Sequence, residues 1–558
     1  MISEFKDGLL KKYYCGIKEN LFDKIEIKKH CEAYKGLHDL SYAAPEFSGK
    51  YIDICMAYYQ NEKDERALEG AKKVTYAAMD GQRADGYMGM YMPGCEFGSF
   101  SIWNQAFTMF GMLSFWKVTQ DKKVFQSIEK GAHYIIEAFK DRDILEAGNN
   151  GVQHLIIVLP IAMLYKITGN KAYGDFVHSV KERLKKSELN FINPVDIMKL
   201  KSQKGIEILA AYVGFLIYAE AAEDEEIIDG ACLYWEQLKN AQIRNTGGGT
   251  VYELWTENGN APSFLPKNVK PNENCVTVGW IQMSLMLFYL RRDAKYLDAV
   301  ETALFNHELA AISKEMDDFC YYQPNFGKKI QGTPSEYYSC CRYRGLTLFA
   351  HLKEMLYYDD GKEIIPMIFM PSVYENEKLI IEQITDYPRN NVIEFIIMPK
   401  KKTEINFKLR LPSWCKDTRI FIDDEEIFLT PCYGFDKYFD NYFRIIRTID
   451  KELRIRYELD MKAWYETGKI FGTDFTAVHY GPLVMAADKH FGKAPENIVI
   501  DSRKNQFIRQ ETNEEIIRIS DGCYTLVDYA SAGTKNPEED EISVWLKYSA
   551  HKGDEEDA

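Results

Sequence analysis

The chain has little that would place it in a membrane. Its prominent apolar run, Leu155 to Tyr165, is broken by Pro160 and falls well short of the roughly 20 residues a spanning helix needs. The start, MISEFKDGLLKKYYCG, has no apolar core behind its charges of the kind a secretory leader carries, so the expected location is the cytoplasm. An excess of basic residues is also missing. The formal net charge is −15, which disfavours nucleic acid and an anionic membrane as partners, since both demand a basic face. Zinc-finger spacing is absent too, although there are twelve cysteines. In a reducing compartment these thiols stay free, so burial, metal binding and catalysis compete to explain them.

What is present is a long globular sequence. Its 558 residues, 46% hydrophobic and 14% aromatic, allow two to four domains around a large core. An apolar helical stretch that ends in a polar tight turn recurs six times, with turns near Asn61, Gln120, Gly169, Glu223, Arg292 and Asp360. Before the turns, apolar residues fall at helical spacing, as in Ile208, Leu209, Tyr212 and Leu216. Six hairpins that each bury a face on the next predict an (α/α)6 barrel over residues 1–362, with an irregular helical domain as the alternative. The texture then changes. TEINFKLRL (Thr403 to Leu411) and ELRIRYEL (Glu452 to Leu459) alternate apolar and polar residues, the pattern of half-buried strands. An antiparallel β-sandwich is expected over 363–470, and a second β-rich region over 471–558 whose acidic tail frays at its end.

Candidate chemistry begins at SEYYSCCRYRG, residues 335–345. Adjacent Cys340 and Cys341 rarely bridge to each other, because a disulfide wants its Cα atoms well apart. The pair reads as an accident, a structural metal site or a reactive thiolate. NENCVTVGW places Glu273 and Cys275 at the mouth of a helix about one hairpin earlier. Glu273, Cys275, Cys340 and Cys341 together offer three sulfurs and one oxygen, a set suited to Zn²⁺, with buried free cysteines as the alternative. The long loop from Asn245 to Cys275 holds Tyr252 and Trp255 beside Glu253 and Glu257. Either carboxyl is a candidate general acid, since nearby aromatic surface raises a carboxyl pKa. Tyr87, Tyr91, Trp103, Asn104 and Gln105 suit a sugar-sized cleft or ordinary packing. His154 opens a very apolar helix, as a structural residue or a functional one.

Taken in order, these segments resemble the zinc- and cysteine-dependent β-L-arabinofuranosidases of glycoside hydrolase family 127, with relatives in family 146. PEFSGKYIDI, DGYMGMY and HLIIVLPIAMLYKITGNKAY look like the family's early helices and loops, and NENCVTVGW and SCCRYRG like its ligand segments. LRLPSWC and HYGPLVMAAD look like its sandwich motifs. The resemblance implies a retaining exo-glycosidase with Cys340 as nucleophile. It also implies zinc held by Glu273, Cys275, Cys340 and Cys341, and Glu257 as acid/base with Glu253 in reserve. His154, Lys204, Gln105, Tyr87, Trp255 and Arg342 are the expected substrate contacts.

Departures bear on the sugar. Arg342, Tyr343 and Arg344 follow the cysteine pair, where the family has small residues or proline. Lys204 stands where a substrate-contacting histidine is expected, and Gln105 or Ala106 where another is common. A modified or acidic sugar, its carboxylate read by Lys204, Arg342 or Arg344, is one expectation. Two other readings stand beside the leading one. The first is a non-catalytic helical carbohydrate-binding or scaffold protein with a structural zinc site. The second is a barrel enzyme using only carboxylates. A small glycoside is the expected partner, and a homodimer through the sandwich region is left open.

Overall fold

The computed structural model describes residues 2–39, 42–146, 148–330, 332, 339–427, 441–511, 516–537 and 539–549. The end of the acidic tail and residues 335–338 of the cysteine motif lie outside these.

Twelve helices build the barrel: α1 (Leu9–Asn20), α2 (Ala44–Glu62), α3 (Glu65–Gly81), α4 (Ser101–Thr119), α5 (Lys122–Ala138), α6 (Val158–Thr168), α7 (Lys171–Lys185), α8 (Gly205–Ala222), α9 (Glu225–Ala241), α10 (Asn274–Arg291), α11 (Ala294–Thr302) and α12 (Cys340–Ala350). The even-numbered helices form a closed inner ring, each packed on the next and α12 packed back on α2. They are buried nearly all round, whereas the outer helices bury one stripe, which is what each layer's composition dictates. Helix α8 is long and apolar enough by composition to cross a membrane, with mean hydropathy 1.5, yet 67% of it is buried as barrel wall. Helices α2 and α4 approach most closely at Gly49 and Gly111, where an added Cβ would meet opposing backbone at 2.1 and 2.2 Å.

Five of the six turns share one design. Lys63, Gln120, Gly169, Glu223 and Arg292 end their inner helices in the left-handed region, at φ between +53° and +66°. The next residue in each case, Asp64, Asp121, Asn170, Asp224 or Asp293, caps the outer helix by accepting a backbone N–H. The sixth expected turn, near Asp360, is different. Tyr357–Asp359 and Ile364–Pro366 form a β-hairpin, because the polar sequence DDGK suits a strand turn as well as a helical one. The sixth outer helix is instead α1, from the start of the chain, packed on α12.

Beyond the barrel, a seven-stranded and a four-stranded sheet face each other, with Phe395 meeting Phe407 edge-on at 5.2 Å between them. One end of the larger sheet is the strand Ile2–Phe5, paired antiparallel with Ser372–Glu375. Just after α12, Lys353 bonds Glu4 at 2.6 Å and Glu62 at 2.7 Å, tying the first strand to the barrel. A third sheet contains Ala463–Ile470 paired with Thr473–Tyr480. Position 362 therefore falls inside a hairpin of the sandwich, and position 470 falls inside a hairpin of the third sheet.

LRLPSWC and HYGPLVMAAD turn out to be joints between layers. Arg410, with no exposed surface, spans Asp298 and Glu301 of α11, and its bond to Glu301 is 2.6 Å. The Tyr387 hydroxyl donates to Glu301 at 2.8 Å and the Trp414 indole at 3.3 Å. Asn306, on the π-helical turn Ala303–Glu308, donates to the Pro482 carbonyl at 3.0 Å and accepts from the Val484 N–H at 2.8 Å. Arg410→Ala strands two carboxylates in a dry joint. The expected cost is about 3–5 kcal/mol of stability, read as a lowered denaturation midpoint.

Candidate active site

The N-terminal ends of the inner helices converge on a cavity of about 860 Å³. Glu273 is the residue before α10, Cys275 lies in its first turn, and Cys340 begins α12. Helix N-termini carry the positive end of the backbone dipole, which favours carboxylates and thiolates at these positions. The ligand atoms of Glu273, Cys275, Cys340 and Cys341 all lie within 4.8 Å of one another. The Cys275 and Cys341 sulfurs are 3.3 Å apart. Glu273 is 1% exposed, and its Oε2 has no partner in the protein. Contacts from Cys275 and Cys341 hold the Cys340 thiol well below the usual range, while burial pushes the other two well above it. This quartet could hold a metal ion.

A carboxylate faces the quartet across one tyrosine. The Tyr321 and Tyr322 hydroxyls each donate to Glu253 Oε1 at 2.8 Å, and the Tyr321 oxygen is 3.3 Å from Cys340 Sγ. Lys204 donates to Glu253 Oε2. Burial raises the Glu253 pKa, but the Lys204 pair and the two tyrosines outweigh it and leave the carboxyl below its ordinary value. The loop is strained here. Thr250, Tyr252 and Glu253 have φ of +73°, +49° and +69°, conformations that non-glycine residues keep where function requires them.

Residues 15–354 match the sequence model of the β-L-arabinofuranosidase GH127 catalytic domain, and residues 363–461 that of the GH127 middle domain. The chain belongs to glycoside hydrolase family 127. This family 127 chain is 23% identical over 458 residues to the non-reducing end β-L-arabinofuranosidase of Bifidobacterium longum subsp. longum. That match covers 70% of this chain and 66% of the relative, just under two thirds of its length. A solved GH127 β-L-arabinofuranosidase from Geobacillus stearothermophilus T6 aligns with TM-score 0.76 at 16% identity, covering 98% of this chain and 100% of that one. A solved GH127 β-arabinofuranosidase aligns with TM-score 0.81 at 17% identity, covering 98% and 96%. These structures share the helical domain followed by sheets.

The family 127 chain brings only part of the expected site together. The four expected ligands converge, and Lys204 lines the cavity. Glu257 does not: it is exposed and outside the cavity lining. The loop is pinned just before it, where the Trp255 N–H donates to the Gln203 carbonyl, and it then turns toward solvent, so Glu253 is the carboxylate left inside. Five other expected contacts face elsewhere. His154 is buried with Nε2 3.1 Å from the Phe97 carbonyl, and burial lowers its pKa to about 4. The Tyr87 hydroxyl bonds Ser101 at 2.8 Å, and the Trp255 indole donates to Tyr234 at 3.1 Å. Gln105 is fully buried off the cavity. Arg342 forks onto Asp318 at 2.7 and 3.0 Å.

Several lining residues escaped the sequence reading, among them Glu46, Lys50, Glu207, Tyr321, Tyr322 and Trp103's neighbour Phe107. Three carried a signal. Glu46 and Lys50 are an i,i+4 pair at 2.5 Å on a helix that is otherwise buried. Glu207 is one of two charged residues in α8.

Proposed function

We propose that the chain is a retaining exo-glycosidase of the β-L-arabinofuranosidase type, with Cys340 as nucleophile and Glu253 as acid/base. The observation that carries this reading is the line Cys340, Tyr321, Glu253 beside the ligand quartet. Three sulfurs and the Glu273 carboxylate, one oxygen of which is buried with no protein partner, fit a borderline-soft ion, for which zinc is the proposed identity. Glu273, Cys275, Cys340 and Cys341 would hold such an ion, which would supply the positive charge that keeps a thiolate available at neutral pH.

Cys340 Sγ attacks the anomeric carbon while Glu253 gives its proton to the leaving oxygen, so a carbon–sulfur bond forms as the carbon–oxygen bond breaks. Water then attacks the same carbon, Glu253 takes its proton, and the sulfur leaves. A bound sugar expels water from the cleft and so raises the Glu253 pKa toward the protonated form the first half needs. Tyr321 and Tyr322 orient the carboxyl throughout. The chemistry requires reduced thiols, which a cytoplasmic setting supplies.

Three of the cations near the site are already neutralised, which argues for a neutral glycone at their positions. Lys50 is paired with Glu46, Lys204 with Glu253 and Arg342 with Asp318. Arg344 is different: it feels the charge of Glu46 and the three sulfurs, but its Nε and Nη2 are buried without a hydrogen-bond partner.

Glu253→Gln should lower kcat/KM by about 10²–10⁴-fold for an alkyl or sugar leaving group, and much less for dinitrophenolate, which needs no proton. Glu257→Gln should stay within about twofold of wild type, as an exposed residue outside the cavity would. Equal losses from both, or none from Glu253→Gln, would defeat the assignment.

A further inference from the structure

Among the groups lining the cavity, Glu207 is used neither by the reaction above nor fully by the protein. It lies in the first turn of α8 and is 7% exposed. Asn149 donates to its Oε1 at 2.8 Å, and Lys204, 4.0 Å from the same oxygen, is committed to Glu253. Its Oε2 is buried without any partner. A second polar atom shares this state: the Trp103 indole nitrogen, on a residue 8% exposed that lines the same cavity, has no acceptor. Buried polar atoms are nearly always satisfied, and these two orphans, on residues that line one sugar-sized space together with the equally unpartnered Ser339 Oγ, Arg344 Nε and Nη2 and Glu273 Oε2, mark where a ligand completes them.

We propose that Glu207, through its free Oε2, holds a hydroxyl of the sugar bound against Cys340 and so determines which glycone is accepted. The assignment deepens the glycosidase reading and rests on it. Trp103 supplies an N–H, and Glu207 an O–H when protonated. The matching ligand is a neutral polyol ring offering hydroxyl oxygens, which two donors recognise and an amine would not satisfy. Burial pushes the Glu207 carboxyl up to about 7, with Lys204 pulling it down and Glu253 and Cys340 adding to the rise. The groups facing it are Lys204 from its own helix start, Asn149, Glu253 from the strained loop, Glu273 at the start of α10 and Cys340 from α12. Below that pH the O–H is present. Above it the donor is lost and another negative charge joins Glu253 and the thiolates.

The test uses the metal-loaded full chain and p-nitrophenyl β-L-arabinofuranoside between pH 6 and 8. Wild-type KM should rise about tenfold over this range, following the protonated fraction of a group titrating near 7, with kcat changing little. Glu207→Gln keeps a donor that cannot ionise, so its KM should stay within about threefold of the wild-type value at pH 6 and lose the pH dependence. Glu207→Ala should raise KM at least tenfold at pH 6. Unchanged KM and pH profile in Glu207→Ala, or a loss confined to kcat, overturns the proposal. Melting curves of the near-isosteric Glu207→Gln variant check that folding is intact. Calorimetric titration with L-arabinose separates this proposal from the reaction it rests on, because it needs no turnover. Tenfold weaker binding by Glu207→Ala supports the specificity role even if no glycoside is hydrolysed, equal affinity overturns it, and neither binding nor hydrolysis by wild type overturns both.

Discussion

Serine in place of Cys340 should lower kcat/KM by about 10⁴-fold or more, the scale seen when a nucleophile is removed from its site, without unfolding the barrel. Of the three clustered sulfurs, Cys340 alone is not fully buried; Cys275 and Cys341 are 2% and 0% exposed. Its thiol is also the one whose neighbours favour the charged form. A serine hydroxyl fills nearly the same space at the start of α12 but stays protonated, so attack on carbon is lost while the helix remains capped by the same backbone. Steady-state kinetics measure the loss. Mass spectrometry supplies the positive arm: a slowly hydrolysed glycoside should leave one sugar mass on the peptide containing Cys340 of the Glu253→Gln variant. Activity within tenfold of wild type in Cys340→Ser would remove the thiolate from the reaction.

Stripping the metal should be nearly as damaging and should act on two readouts at once. A strong chelator at mildly acid pH, where thiols compete as acids, is expected to abolish hydrolysis and lower the melting temperature. Zinc added back should restore both. An ion present at a thousand times its Kd stabilises a native state by about 4 kcal/mol, and an ion held by the proposed quartet would join α10 to α12. Elemental analysis must show the ion gone. Full activity in demonstrably metal-free protein would dismiss the quartet as a metal centre.

The convergence of Glu273, Cys275, Cys340 and Cys341 was legible in the sequence because residue type and position both constrained it. Glu273 and Cys275 stand at one helix start and the cysteine doublet at the start of α12, and a closed ring brings those starts to one end. The hairpin turns were legible for a similar reason, since a left-handed residue followed by Asp or Asn is a local signal. Choosing between Glu253 and Glu257 needed the path of a loop that is set by distant contacts, the Trp255 anchor and the two tyrosines. Aromatic composition misled as well: Tyr87 and Trp255 have the chemistry of a sugar platform, but their hydroxyl and indole groups are spent inside the wall. Which face a side chain presents is decided by packing, and Glu207, the early charge in an apolar helix, is the residue whose oddness should have prompted a question.

The placement of strand Ile2–Phe5 and helix α1 has a consequence for assembly on the ribosome. Both lie far upstream of their partners, so the strand waits for Ser372–Glu375 and the helix for α12. The thiols at 340 and 341 therefore emerge before the ring can shut around them. Barrel closure is a late event, because the ring is complete only once α12, which carries both thiols, has emerged and packed back on α2.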